Sequence, residues 1–268
     1  MGSHAWLASL LLVVAACRAN GTPSPTIARD PEQGTLSPAP SGIPSSQVGP
    51  GVVDAATDPE PAHVERIDVA KDVPASLVRG RPGGPPLIAF LPGVCSNAYA
   101  YLLSFPEAAR AHGGVLAIDG DQPCGAAGSG FRSFSWDPVR QDARLRAAFA
   151  AAGAGSAPPE GLTLVGYSAG AGIGELMLQR WPERYARVVL IGAPSDPSPV
   201  RLAQAGGVVT MSCSRDVPGR MRDAARRIAA TGVPATYLEM PGCTHGNIAD
   251  GERVFETAFD WLTDHARN

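Results

Sequence analysis

Gly166-Tyr167-Ser168-Ala169-Gly170 is the stretch in which residue type and spacing together point to chemistry. Leu162-Thr-Leu-Val165, an apolar run with β character, leads into it, and Ala171 to Arg180, small and helix-forming residues, lead out. A strand that turns this sharply into a helix forces its central residue into a strained backbone conformation. The positions two before and two after must then be Gly to avoid clashing with it. Ser168 is expected at the exposed tip of that turn, where its hydroxyl can act as a nucleophile. A phosphate-binding loop is the competing reading, because Gly170, Gly172 and Gly174 also follow a strand. The spacing argues against it: no G-x-G-x-x-G can be read here, and G-x-x-x-x-G-K-[ST] occurs nowhere in the chain.

A serine hydroxyl attacks poorly until a base takes its proton, and that base is usually a His oriented by a carboxylate. His63 is expected in the first strand, His112 at a helix end and His265 near the terminus. His245, in Pro241-Gly-Cys-Thr-His245-Gly246, follows a strand on a loop bounded by Gly. A lone His is usually a surface or satisfied core residue, so position selects His245. For the carboxylate, Asp216 is the first choice, since it follows the strand ending at Met211 and precedes Pro218 and a helix. Asp196, after the strand ending at Ile191, is the alternative, and Asp119 a third. Asp250 is close to His245 in sequence but is expected to begin the last helix, where a carboxylate has an ordinary dipole role.

The elements that must position these groups alternate. Val64 to Val69 reads as an edge strand and Ala75 to Val78 as a second. Leu87 to Leu91 and Val115 to Ile118 are continuous apolar runs stopped by Pro92-Gly93 and Asp119-Gly120, as suits strands buried on both faces. Tyr99 to Ala111 can form a helix that Pro106 must kink or restart, and Pro138 to Ala152 a second one ended by Gly153. Strand 162–167, helix 169–180, strands 188–191 and 208–211, helix 219–230, strand 236–240 and helix 252–266 follow. This alternation predicts βαβ units with right-handed crossovers and one parallel sheet covered on both faces. Reactive groups in such sheets sit on loops beyond the carboxyl ends of the strands.

The order Ser168, Asp216, His245 and the spacing of the strands resemble the α/β-hydrolase superfamily from about Leu87 to His265. The resemblance implies a mostly parallel sheet with helices on both faces. It also implies an oxyanion hole made by the backbone N–H of Ala169 and one from the loop after the third strand, here Val94 in Leu91-Pro92-Gly93-Val94. His-Gly is common in that loop, and this chain departs from it with Pro92-Gly93. The implied reaction is two-step acyl transfer from a small ester or acyl substrate, with no metal or organic cofactor. The residues alone leave two other readings: a noncatalytic binding or surface protein on the same fold, and a peptidase or depolymerase using the same three residues. Four cysteines remain besides Cys17, and four allow three pairings. In the order of strands that the resemblance implies, Cys95 and Cys124 follow neighbouring strands, as do Cys213 and Cys243. Those two disulfides are expected, four buried free thiols being the alternative. Gly125 to Trp136 carries Phe131, Phe134 and Trp136, which either line an acyl or alcohol pocket or cover the sheet. The short interval between Ile191 and Val208 leaves no room for a large lid.

At 268 residues, 44% hydrophobic and 18% charged, the chain can hold one domain with a full core. A formal net charge of −3 provides no basic footprint for nucleic acid. Lys71 is the only lysine while Arg, Ala, Gly and Pro abound, a pattern of GC-rich coding associated with a bacterial source. Residues 1–16 read as a signal peptide, with Trp6 to Ala16 an apolar run too short to span a bilayer. Val14-Ala15-Ala16-Cys17 resembles the lipobox of bacterial lipoproteins, which implies lipidation of Cys17 and anchoring of the exported chain to a membrane facing the periplasm or exterior. The departure is upstream, where Met1 to His4 has no Lys or Arg. Plain secretion with Cys17 incidental, and a tag remnant at Gly2-Ser-His4, are the competing readings. Residues 17–62 are Pro, Ser, Gly and Thr-rich without apolar period and read as a linker. At roughly 3 Å per residue such a chain reaches on the order of 100 Å. Residues 63–268 are expected to form the catalytic domain. If Cys17 carries the anchor, Cys17→Ser moves the protein from the membrane fraction to the soluble fraction; unchanged partition refutes it.

Overall fold

The computed structural model describes residues 60–81, 83–125, 130–155 and 160–267. The expected signal peptide, Cys17 and nearly all of the linker lie outside the described residues. The strands are β1 (Glu65–Ile67), β2 (Ala75–Arg79), β3 (Ile88–Leu91), β4 (Gly114–Ala117), β5 (Gln122–Pro123), β6 (Arg132–Ser133), β7 (Thr163–Tyr167), β8 (Arg187–Ile191), β9 (Gly207–Cys213) and β10 (Ala235–Met240). The helices are α1 (Ala98–Leu102), α2 (Pro106–Ala111), α3 (Pro138–Ala151), α4 (Ala169–Arg180), α5 (Pro218–Ala229) and α6 (Gly251–His265).

Eight strands form one sheet in the order β1-β2-β4-β3-β7-β8-β9-β10. From β4 to β10 all neighbours are parallel. The sheet is mostly parallel, as the resemblance implies, and departs from parallel at one edge, where β2 is antiparallel to both β1 and β4. Between β1 and β2 a short turn through Lys71, at φ 63, reverses the chain, and reversal needs no crossover helix. His63 precedes β1 instead of lying in it. β5 and β6 make a small antiparallel hairpin that no apolar periodicity announces.

Side chains along the parallel strands alternate between two cores. Ala89, Leu91, Leu164, Val188, Leu190 and Val208 face one, which also takes Leu145 and Phe149 of α3, Ile173 and Met177 of α4, and Ile228 of α5. Phe90, Val165, Tyr167, Val189, Val209 and Met211 face the other, with Leu102 of α1, Ala109 of α2 and Phe255 and Phe259 of α6. Burial on both faces is why these strands read as unbroken apolar runs. Of the kink or restart expected at Pro106, the structure shows the restart. α1 ends at Leu102, and α2 restarts with Pro106 at its first turn, where a missing N–H costs nothing. Pro138 opens α3 in the same way behind the side-chain cap of Asp137. β9 runs two residues beyond the expected strand because its parallel pairing with β10 continues to Cys213 opposite Met240.

Phe90, fully buried on β3, packs against Tyr101 and Phe105. Phe90→Ala is expected to cost about 3–5 kcal/mol in urea unfolding, whereas Leu103→Ala, on an exposed side chain, stays within about 0.5 kcal/mol.

Candidate active site

Ser168 stands between β7 and α4 with φ 51 and ψ −115, outside the regions an L-residue favours. The flanking glycines hold it there by close backbone approach. A Cβ on Gly166 would lie 2.5 Å from the Gly170 carbonyl oxygen, and one on Gly170 would lie 2.1 Å from the Leu91 carbonyl oxygen. The Ser168 N–H donates to the Ile191 carbonyl at 2.8 Å, tying the turn to the end of β8.

His245 lies on the loop after β10 and Asp216 on the turn after β9. His245 Nε2 is 3.0 Å from Ser168 Oγ, and His245 Nδ1 is 2.7 Å from Asp216 Oδ2. A carboxylate only accepts, so Asp216 places the ring proton on Nδ1 and leaves Nε2 free to accept from the serine hydroxyl. The Asp216 side chain is 11% exposed and that of His245 45%. The other acids lie elsewhere. Asp196 is exposed and pairs with Arg227 at 3.1 Å. Asp119 is buried and accepts from the Ala98 N–H at 2.6 Å, anchoring the start of α1; burial raises its pKa against that hydrogen bond. Asp250 precedes α6 and pairs with Arg253. Among the other histidines, His112 faces Asp260, and His265 Nδ1 lies against the Trp261 carbonyl.

The loop after β3 lies against Ser168, since a Cβ on Gly93 would come within 3.3 Å of Ser168 Cβ. Ser96 Oγ donates to the Gly93 carbonyl at 2.6 Å, and the Cys95 N–H donates to Ser133 Oγ at 3.2 Å, which fixes the turn around Val94. Among the described residues, neither the Val94 nor the Ala169 N–H has a protein acceptor. Cys95 is bonded to Cys124 and Cys213 to Cys243. The first pair fastens the Val94 turn to the β5 region. The second joins the Asp216 turn to the His245 loop, and the Arg215 N–H adds a 3.2 Å bond to the Cys243 carbonyl. Phe131 is exposed at the cleft and Phe134 is buried in the sheet's core, while the exposed Trp136 lies over Gly172 of α4 and does not line the cleft. Phe131, Val94, Tyr101, Asn247 and Ile248 line a cleft of about 480 Å³ beside the site.

Two features escape the sequence reading. Gly192, at φ +52 directly after β8, sits beneath the imidazole: a Cβ there would lie 3.0 Å from Asp216 Oδ2 and 3.1 Å from His245 Cε1. Tyr167, inside the serine motif, and Tyr101 on α1 both hydrogen-bond the loop that carries His245. Only the positions of Gly192 at a strand end and Tyr167 beside Ser168 hinted at either.

No family model matches this chain, and no curated protein matches it. Solved structures do. Carboxyl esterase 2 of the mycorrhizal fungus Tuber melanosporum is similar with TM-score 0.55 at 14% identity, over 77% of this chain and 88% of that one. A predicted CIB-like hydrolase from Thermoplasma acidophilum gives 0.55 at 15% identity over 76% and 99%. FphF, fluorophosphonate-binding serine hydrolase F of Staphylococcus aureus, gives 0.54 at 11% over 76% and 99%. The chain has the α/β-hydrolase fold.

Gly192→Ala adds a methyl against both Asp216 and His245 and strains a left-handed position. If Ser168 is the nucleophile, the rate at which a fluorophosphonate labels it should fall by about 10²-fold in this variant, with stability lower by about 1–3 kcal/mol; labelling at the original rate would show that the pair tolerates the crowding.

Proposed function

We propose that this chain is a serine hydrolase that cleaves carboxylic esters. The observation that carries this reading is the unbroken hydrogen-bonded line from Ser168 Oγ through His245 to Asp216, set on a strained turn at the carboxyl end of the sheet. Its fold is shared with a carboxyl esterase and a serine hydrolase, which fits the reading without carrying it.

Ser168 Oγ attacks the ester carbonyl as its proton passes to His245 Nε2. The imidazolium is then held by Asp216 at Nδ1, so charge forms beside a fixed opposite charge. The negative charge on the carbonyl oxygen is met by the N–H groups of Val94 and Ala169. Collapse of the tetrahedral intermediate breaks the bond to the alcohol, which leaves with the proton from Nε2. Water then enters, gives its proton to Nε2 and attacks the acyl-enzyme; the acid departs and Ser168 regains its hydrogen.

The cleft lined by Val94, Tyr101, Phe131 and Asn247 adjoins the proposed oxyanion donor and takes one arm of the ester. At about 480 Å³, with Val94 and Phe131 exposed at its border, it suits a compact acyl or alcohol group. Two disulfides fit a chain exported to an oxidising compartment. We infer the membrane anchor at Cys17 from its sequence context alone.

Ser168→Ala should abolish both fluorophosphonate labelling and turnover of short p-nitrophenyl esters. Asp216→Ala should lower kcat by about 10⁴-fold, and Asp196→Ala should leave it unchanged. Turnover that survives Ser168→Ala, or a reversed ranking of the two aspartates, overturns the assignment.

A further inference from the structure

The general base proposed above sits on an exposed loop that its own Thr244–Asn247 turn closes, the Asn247 N–H donating to the Thr244 carbonyl at 3.2 Å, and that other elements grip from outside. Gly246, directly after His245, has φ +92, a conformation that a following side chain would not enforce. Both polar groups of Gly246 are instead taken by phenols from other elements. Tyr167 Oη accepts the Gly246 N–H at 2.7 Å and donates to the Asn247 carbonyl at 3.3 Å. Tyr101 Oη donates to the Gly246 carbonyl at 3.1 Å. Each hydroxyl has one proton, and each spends it once.

The two rings brace each other. They stack with centroids 5.1 Å apart at 28°, and the Tyr167 ring meets the imidazole edge-on at 5.5 Å. Tyr167 is 1% exposed, and its backbone is the last residue of β7, one peptide bond from Ser168. Burial pushes its phenol up to about 12, so it stays a neutral donor at any ordinary pH. The element that sets the height of the nucleophile therefore also sets the height of the base.

We propose that Tyr167 and Tyr101 are positioning residues that fix His245 Nε2 at hydrogen-bond distance from Ser168 by clamping the Gly246 peptide. This rests on the reading of His245 as general base. Neither phenol touches the reacting atoms; each acts through the loop backbone. Because the loop is solvent-exposed, water can replace a lost hydroxyl, so removing it shifts the loop without unfolding the chain.

The test uses the full chain with Tyr167→Phe, Tyr101→Phe and the double variant, assayed on p-nitrophenyl butyrate. Misplacement of the base by a fraction of an ångström predicts kcat lower by about 10- to 100-fold in Tyr167→Phe, with KM nearly constant. Amide exchange at Gly246 should accelerate in the same variant, and thermal unfolding should move little. Since both phenols hold one peptide, the double variant should lose less than the product of the single effects. A rise in KM with kcat intact, or wild-type kcat in both single variants, overturns the clamp. Should Tyr167→Phe fail to fold, Tyr101→Phe, whose ring borders the cleft, decides by the same criterion. Ser168→Ala run alongside separates the two readings. If it abolishes turnover while the Phe variants keep wild-type kcat, only the positioning role falls; if it leaves turnover intact, the triad and the clamp fall together.

Discussion

The turn at Ser168 is the constraint on which the rest of the site depends. Backbone held at φ 51 and ψ −115 costs on the order of 1–3 kcal/mol for a residue with a side chain, and persists only where its surroundings over-determine it. Here they do. Gly166 packs against the backbone of Gly170 and Ala171, Gly170 against the carbonyls of Leu91 and Pro92, and the Ser168 N–H is spent on Ile191. The same contacts bring the loop after β3 against the serine, so the strained turn and the proposed oxyanion loop are one packing unit.

Strand order does the rest. Ser168, Asp216 and His245 leave from β7, β9 and β10, and β8 lies between the first two. β8 supplies no reactive side chain; it supplies clearance, because Gly192 at its end is bare where the imidazole and the carboxylate meet. The Cys213–Cys243 bond joins the ends of β9 and β10, holding Asp216 and His245 on loops that cannot drift apart independently. On the other flank, Asp121 accepts from the Ser135 N–H and hydroxyl and from Gln141, and pairs with Arg140 at 2.7 Å. That knot fixes the segment from which Phe131 reaches the cleft. Burial alone would raise the Asp121 pKa, but these hydrogen bonds outweigh it and keep the carboxylate ionised.

Much of the scaffold was legible because local sterics and burial leave periodic marks. The Gly166 and Gly170 positions follow from the elbow's backbone. The apolar runs of β3, β7, β8 and β9 follow from two-sided burial, and the restart at Pro106 from its missing N–H. The antiparallel edge and the β5–β6 hairpin were not legible. Pairing direction depends on how β2 meets β4, and two-residue strands have no period to read.

By itself, the sequence determined the strained serine turn, the two-faced strands and the placement of His245 and several aspartates on loops after strands, since each is dictated by residues within a few positions. Only the tertiary structure decided which aspartate faces the imidazole, that Gly192 must be bare, and that Tyr101 and Tyr167 grip the His245 loop. These contacts join residues 29, 80 and 145 positions apart. Their existence depends on which strands become neighbours, a property of the whole packed sheet that no local stretch encodes.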